Sequence, residues 1–262
     1  MPARQSVVND VSESKGFGLM SASFNVSRII GPMIAAAIIS KFDVKWCYFI
    51  NALSFIWILC VIHKLDLTKH KKIQNDNIVP KELKAFIPYA ILLNLFAWAL
   101  VPLLPYFASK LNSGPQGLAN LTAAFGIGAI IASFLCNNVK NERLYSIVLF
   151  AMIAVSGSLF AISANLANFK LCYICIALVG AGIAGFTVLI TSYLHHNVSK
   201  YHLSSIRGQA STLYSRCSGF SIFGHFLTAI LLLYFDCSTV VIFMMSLFLI
   251  LSLLFIPKNT YL

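Results

Sequence analysis

Charge is scarce in this chain of 262 residues. Only 10% of them are Asp, Glu, Lys or Arg, against about 25% in an ordinary soluble domain. Acid is the scarcer sign, with eight Asp and Glu against nineteen Lys and Arg. The remainder is dominated by apolar residues at 59%, and mean hydropathy is +0.83. A soluble globule of this size has too little interior to hide that much apolar surface. A cytosolic enzyme, a disordered chain and a secreted disulfide scaffold are therefore excluded, which leaves a polytopic membrane protein. The first fifteen residues hold Arg4, Asp10, Glu13 and Lys15 and no apolar run, so no cleavable signal peptide is expected.

The acids are also missing from every apolar run. Asp10, Glu13, Asp43, Asp66, Asp76, Glu82, Glu142 and Asp236 all fall outside the runs. A membrane enzyme is disfavoured, because no acid–base or nucleophile constellation lies at membrane depth. Proton coupling through a carboxylate of these segments is disfavoured too. His225 is the titratable group left in a run, and it reads either as a proton carrier or as a packed histidine bonded to a carbonyl. The chain alone is expected to show no proton-driven transport. The seven cysteines are scattered. Cys172 and Cys175 form a CxxC, but inside an apolar run, where small apolar packing is expected rather than zinc or redox chemistry. His195, His196 and His202 lack an accompanying carboxylate, so no metal is expected. Gly180, Gly182 and Gly185 match GxGxxG, yet no acid stands about 20 residues on, as a dinucleotide site would need. Close helix packing is expected there instead. No cofactor is expected.

Apolar runs are what the sequence has in abundance. A bilayer core takes about 20 residues of helix. Eight runs qualify or nearly so: 17–40, 46–63, 86–108, 118–139, 144–165, 171–194, 208–235 and 238–256. Asn112 to Gly117 reads as a turn-rich loop. Pro102 and Pro105 would break or bend the third run. Eight crossings put both termini on one side. With that side inside, inner breaks and tail hold thirteen of the nineteen Lys and Arg. Outer breaks hold four, namely Lys41, Lys45, Lys110 and Lys170, and Arg28 and Arg216 lie within runs. The bias places both termini in the cytoplasm. It also accounts for the basic charge without nucleic acid, and the basic linker 64–85 is expected to touch anionic headgroups.

One stretch repeats. Ala22 to Gly31 and Ala210 to Gly219 agree at five of ten positions, Ala, Ser, Ser, Arg and Gly, at an offset of 188. Both enter a membrane segment from an inner loop, as parallel repeats do. Segment seven thus repeats segment one, and the repeat unit is six helices. Residues 1–63 are expected to be the last two helices of a first bundle with its preceding loop. Residues 64–85 would be a cytoplasmic linker and 86–262 a complete six-helix second bundle. Four helices are expected to be missing from the N-terminal side.

Local motifs carry a family resemblance. Pro2-Ala3-Arg4-Gln5, then Arg28-Ile29-Ile30-Gly31-Pro32, then Asn51-Ala52-Leu53-Ser54-Phe55 resemble the PARQ, RxxGP and NALSF blocks of a bacterial branch of the major facilitator superfamily, the one that includes the enterobactin exporter. Ile206-Arg207-Gly208 is similar to that branch's LRGR stretch. The resemblance implies an all-α polytopic membrane protein of the major facilitator fold, with about eight of twelve transmembrane helices. It implies efflux of siderophore- or drug-like small molecules by alternating access, with proton coupling in the intact form. It also implies the bacterial inner membrane. The alternative is a truncated remnant that does not transport. The antiporter motif of such exporters, in its frame here, reads Gly18, Ser27, Gly31-Pro32 and Ala35-Ala36. Three positions match and three carry other small residues, which suits close helix approach and a proline bend.

Candidate substrate-binding or gating residues are Arg28, Arg216, Asn94, Trp98 and Tyr214. Arg28 stands about 12 residues, roughly 18 Å, into its segment at 1.5 Å per residue. A charge there costs about 2.5–3.5 kcal/mol even on the lenient insertion scale. It has to face a wet cavity or an acceptor. Either it recognises an anionic or catecholate-like substrate, or it bonds helix-end carbonyls. Asn94, Trp98 and Tyr214 are the polar or amphipathic groups that would suit an aromatic, polar ligand.

Overall fold

The computed structural model describes residues 15–64, 81–136, 142–199 and 216–254. Every regular element among them is helical. In chain order they are α1 (Lys15–Lys41), α2 (Val44–Lys64), α3 (Lys81–Leu92), α4 (Leu104–Lys110), α5 (Gly114–Leu135), α6 (Glu142–Asn165), α7 (Phe169–Ser199), α8 (Ser221–Leu231) and α9 (Cys237–Leu254). A π-helical turn, Leu93–Ala97, and a 3₁₀ turn, Trp98–Leu103, join α3 to α4 in one rod. Six stretches among the described residues are long and apolar enough to cross a bilayer: Val44–Val61, Ile87–Lys110, Gly114–Leu135, Leu144–Asn165, Phe169–Leu189 and Cys237–Leu254. The protein is an all-α, polytopic membrane protein. Most of the linker expected at 64–85 lies outside the described residues.

Helix ends follow local chemistry more closely than hydropathy. α5 starts in the stretch expected to be loop. Gly114 takes φ +53°, which glycine adopts without strain, and Pro115 supplies the fixed φ of a first helical turn. The run expected to reach 235 loses its helix at Leu231, because Leu232 to Phe235 close turns onto Thr228, Ile230 and Leu231. Asp236 then starts α9 as its N-cap. Its carboxylate accepts the backbone N–H of Ser238 (3.0 Å) and of Thr239 (3.2 Å). Conversely, α7 runs to Ser199, past the last apolar residue of its segment.

In a bilayer the driving force for helix association is close packing rather than exclusion of water. Here that packing is made by glycine and by aromatic rings. α5 and α7 cross with their backbones in contact. A Cβ on Gly128 would fall 1.8 Å from the Ala177 carbonyl oxygen, and one on Gly180 would fall 2.2 Å from that of Phe125. Gly182 abuts Ile153 of α6, and Gly185 abuts Cys136 and Leu149. The GxGxxG glycines are therefore helix-packing residues. Around Phe150 of α6, rings from three other helices converge: Phe186 at 4.6 Å, Phe248 at 5.3 Å and Tyr89 at 5.4 Å. All four are buried. Each such ring pair adds about 0.5–1.5 kcal/mol beyond area burial.

α1 packs along α5, with Ala36 buried. α2 touches α1, where the Cys47 thiol lies 3.8 Å from the Ala35 carbonyl oxygen, and its other described side chains are exposed and mostly apolar. The expected contribution of Gly31 to close packing is not seen, since a Cβ there would meet nothing within 4 Å. Close approach on α1 falls one turn later, at Ala35 and Ala36.

Candidate functional site

The α3–α4 rod is the irregular element of the bundle. Its break has a local cause. In the π turn the Trp98 N–H donates to the Leu93 carbonyl, one residue further back than an α-helix allows. Pro102 then brings no N–H to the following 3₁₀ turn. Pro105 stands at the start of α4, where a missing N–H costs nothing. Pro102 thus lies within the break, as the sequence suggested, whereas Pro105 starts the helix that follows it. Mid-helix π and 3₁₀ turns are frequent at functional sites and hinges.

Two of the expected site residues sit on this break, one turn apart. Asn94 is buried at 4% exposure, and its amide donates to the Ala90 carbonyl at 2.8 Å. Trp98 is half-buried against the core. The backbone of α8 lies directly on the break, where a Cβ on Gly224 would fall 1.9 Å from the Leu95 carbonyl oxygen. Beside it is a small apolar cavity of about 10 Å³, lined by Phe96, Ala99, Leu100, Thr228, Met244 and Met245. That is about one water's worth of space, far below the 300–1,000 Å³ of a site for drug-sized ligands.

The other candidates are dispersed. Arg216 is exposed and opens the turns that lead into α8, its carbonyl accepting the Gly219 N–H at 3.1 Å. Tyr214 and the Arg28 side chain lie outside the described residues, although the backbone of Arg28 is within α1. Gly18, Ser27, Gly31 and Pro32 are all on α1, with Ser27 and Gly31 exposed and Pro32 inside the helix. His225 is exposed on α8, so the packed reading of that side chain does not hold.

A polar cluster escaped the sequence reading. α4 and α6 end in the same way, with a left-handed residue after the helix (Asn112, φ 52°; Ala167, φ 51°) and a backbone bond that closes the turn. Ser113 N–H reaches Ala108 at 3.0 Å, and Asn168 N–H reaches Ser163 at 3.0 Å. Just before these caps, the Lys110 ammonium donates to Asn165 Oδ1 at 2.6 Å and Ser238 Oγ at 3.3 Å. Ser238 Oγ donates to Asn165 Oδ1 at 2.7 Å. Lys110 also stands 5.9 Å from the centre of the Tyr106 ring. Three helix ends thus meet at one cation. The contacts join residues 55, 73 and 128 positions apart, a separation with no periodic signal in the chain. The one local clue was Asp236 followed by Ser238 and Thr239, a helix-start pattern.

Residues 1–224 match the family described as transmembrane secretion effector, a branch of the major facilitator superfamily. The chain belongs to this family. No curated protein and no solved structure matches it. As a secretion effector of the major facilitator type, it is a multi-pass membrane transporter that acts on small molecules from within the lipid bilayer. Among the described residues, no group of three or more His, Cys, Asp or Glu could hold a metal ion.

Proposed function

We propose that the protein is an efflux transporter of the bacterial inner membrane, similar to the enterobactin exporter, which exports siderophore- or drug-like molecules by alternating access. Residues 1–63 belong to one helical bundle, 64–85 to a cytoplasmic linker and 86–262 to a six-helix bundle. Both termini face the cytoplasm, and the intact transporter is proton-coupled. The observation that carries the reading is the break at 93–103, with buried Asn94 and half-buried Trp98, in a chain of the secretion effector family. A polar amide in an apolar bundle, on the one rod whose helix changes pitch among the described residues, suits a group that meets substrate or follows a gating movement. Arg28, Arg216 and Tyr214 complete the proposed substrate-binding or gating set. Gly18, Ser27, Gly31 and Pro32 form the antiporter-like stretch of α1.

The test is accumulation of a catecholate siderophore and of a lipophilic dye in an efflux-deficient bacterium expressing the protein. Expression should lower accumulation of at least one, and Arg28→Ala and Asn94→Leu should each restore it. Unchanged efflux in a variant removes that residue from the site.

A second reading is supported by α2, whose window from Val44 to Val61 is not buried at any position. A cavity between two bundles needs a packed wall on each side, and a helix with no buried face supplies none, so in this reading the protein does not move substrate. Purified chain in liposomes separates the two readings. Substrate-dependent proton flux supports the first, and its absence alongside intact folding supports the second.

A further inference from the structure

We infer that His225 is a proton-binding site, set at membrane depth in a polar stripe of α8 that faces a water-filled cavity. Depth is given by the neighbour of α8. Its backbone rests on the broken rod at Gly224, where a Cβ would fall 1.9 Å from the Leu95 carbonyl oxygen. Within the span Ile87–Lys110, Leu95 stands eight residues from one end and fifteen from the other, roughly 12 Å and 22 Å at 1.5 Å per residue. His225, the next residue after Gly224, is therefore well inside the bilayer. Direction is given by burial. Gly224 and Thr228 are the buried positions of α8 and face the rod. One residue turns an α-helix by about 100°, so His225 points away from that contact, and it is exposed.

The stripe follows from the backbone. Ahead of α8, Gly219 N–H bonds Arg216, Phe220 bonds Cys217 and Ile222 bonds Gly219, each three residues back. Residues three apart eclipse in that geometry, so Ser218 stands over Ser221. Ser221 and His225 then share a face as an i, i+4 pair. Both serines are half-buried. Two hydroxyls and one imidazole thus line a flank of an otherwise apolar helix, leading inward from Arg216. An ionisable side chain at this depth faces a bundle interior or water, because hydrocarbon offers its polar atoms no partner. Exposure excludes the packed side, which leaves a wet cavity. Histidine is the side chain that changes charge between pH 5 and 8. Nothing charged packs against it among the described residues. Leu93–Ala97 and Trp98–Leu103 carry no titratable group, and α9 has only Cys237, at its far end. The nearest described charges along the chain are Arg216 and Asp236. Water and the serine hydroxyls therefore solvate the bound proton. The inference deepens the proton coupling proposed above by naming its group, and it rests on that reading only for the use made of the proton.

The experiment takes the full chain in lipid nanodiscs, with histidine side chains labelled for NMR. One imidazole resonance, absent from His225→Gln, should shift with pH between 5 and 8 as a single proton-binding step; His225→Asn makes the assignment if His225→Gln does not fold. Ser221→Cys should react with a charged, membrane-impermeant thiol reagent at least tenfold faster than Val155→Cys, an exposed mid-span position on α6. A resonance fixed from pH 5 to 8, or a Ser221→Cys no faster than Val155→Cys, overturns the inference. In cells, efflux should vary at least threefold between pH 6 and 8, and His225→Gln should flatten that dependence; its full retention overturns the link to coupling. A protein that exports neither test substrate counts against the transport reading alone, since titration and labelling judge the site without substrate.

Discussion

Adding one methyl group at the α5–α7 crossing gives the most direct measure of what holds this bundle together. In Gly128→Ala the new carbon would stand 1.8 Å from the Ala177 carbonyl oxygen and 2.6 Å from its carbon. Real contacts of this kind do not fall below 3.0 Å, so the two backbones must part by at least 1.2 Å, the difference between those two distances. The obstacle is main chain on both sides, and no rotamer can relieve it. A gap of 0.5–1 Å already forfeits about a quarter to a half of each van der Waals well. The cost therefore falls in the upper part of the overpacking range, about 2–3 kcal/mol. For a protein of this size that corresponds to a fall in Tm of about 4–12 °C. Gly180→Ala acts on the same crossing, 2.2 Å from the Phe125 carbonyl oxygen. The double variant should cost clearly less than the sum, because the first methyl has already parted the helices. Gly31→Ala is the control, with nothing within 4 Å, and should stay within about 0.5 kcal/mol of the parent. Thermal unfolding in one detergent, followed by size-exclusion fluorescence, reads all four variants against the parent. A Gly128→Ala protein as stable as the parent, or a Gly31→Ala protein equally destabilised, would refute the backbone-contact account.

Three further outcomes follow from other parts of the fold. Phe150→Ala should destabilise by about 3–5 kcal/mol, because it removes the ring on which Tyr89, Phe186 and Phe248 converge; a Tm loss no larger than that of an exposed control such as Phe134→Ala would count against it. Asp236 is an exposed N-cap, so Asp236→Ala should cost about 0.5–1 kcal/mol, the low end of the capping range. The Thr239 hydroxyl and backbone N–H, with smaller help from the Ser238 N–H and Lys110, hold its carboxyl below the usual value. A lowered native pKa gives stability that is complete above the unfolded value, near pH 4, and is lost as pH falls through the native one. The Tm difference between parent and Asp236→Asn should therefore be constant from pH 5 to 7 and shrink below about pH 4; a difference that grows on acidification would reverse the assignment.

Fold class was legible because bilayer thickness forces long apolar runs, and six of the described helices have them. Pro102 gave away the break in the third run, since it removes a donor whatever surrounds it, and Pro105 marked where the helix resumes. Helix ends were less legible. Hydropathy reports where the bilayer stops, while α7 continues to Ser199 and α5 begins at Gly114 on the strength of a left-handed glycine and a proline. Glycine motifs divided by context. Gly180, Gly182 and Gly185 meet neighbouring helices as expected, whereas Gly31, equally small, faces open space. Nothing local distinguishes these cases, because each depends on which helix is opposite. For the same reason Lys110 read only as a topology marker, although its partners are Asn165 and Ser238.

The paired seats at Gly128 and Gly180 have a mechanical consequence. Each accepts a main-chain carbonyl, so neither α5 nor α7 can slide by a residue without driving an oxygen into a side-chain position. The crossing works as a keyway that fixes the register of two helices while leaving others their freedom. The rod carrying Asn94 is held differently: there α8 rests on the Leu95 carbonyl through Gly224 alone, without a reciprocal glycine among the described residues.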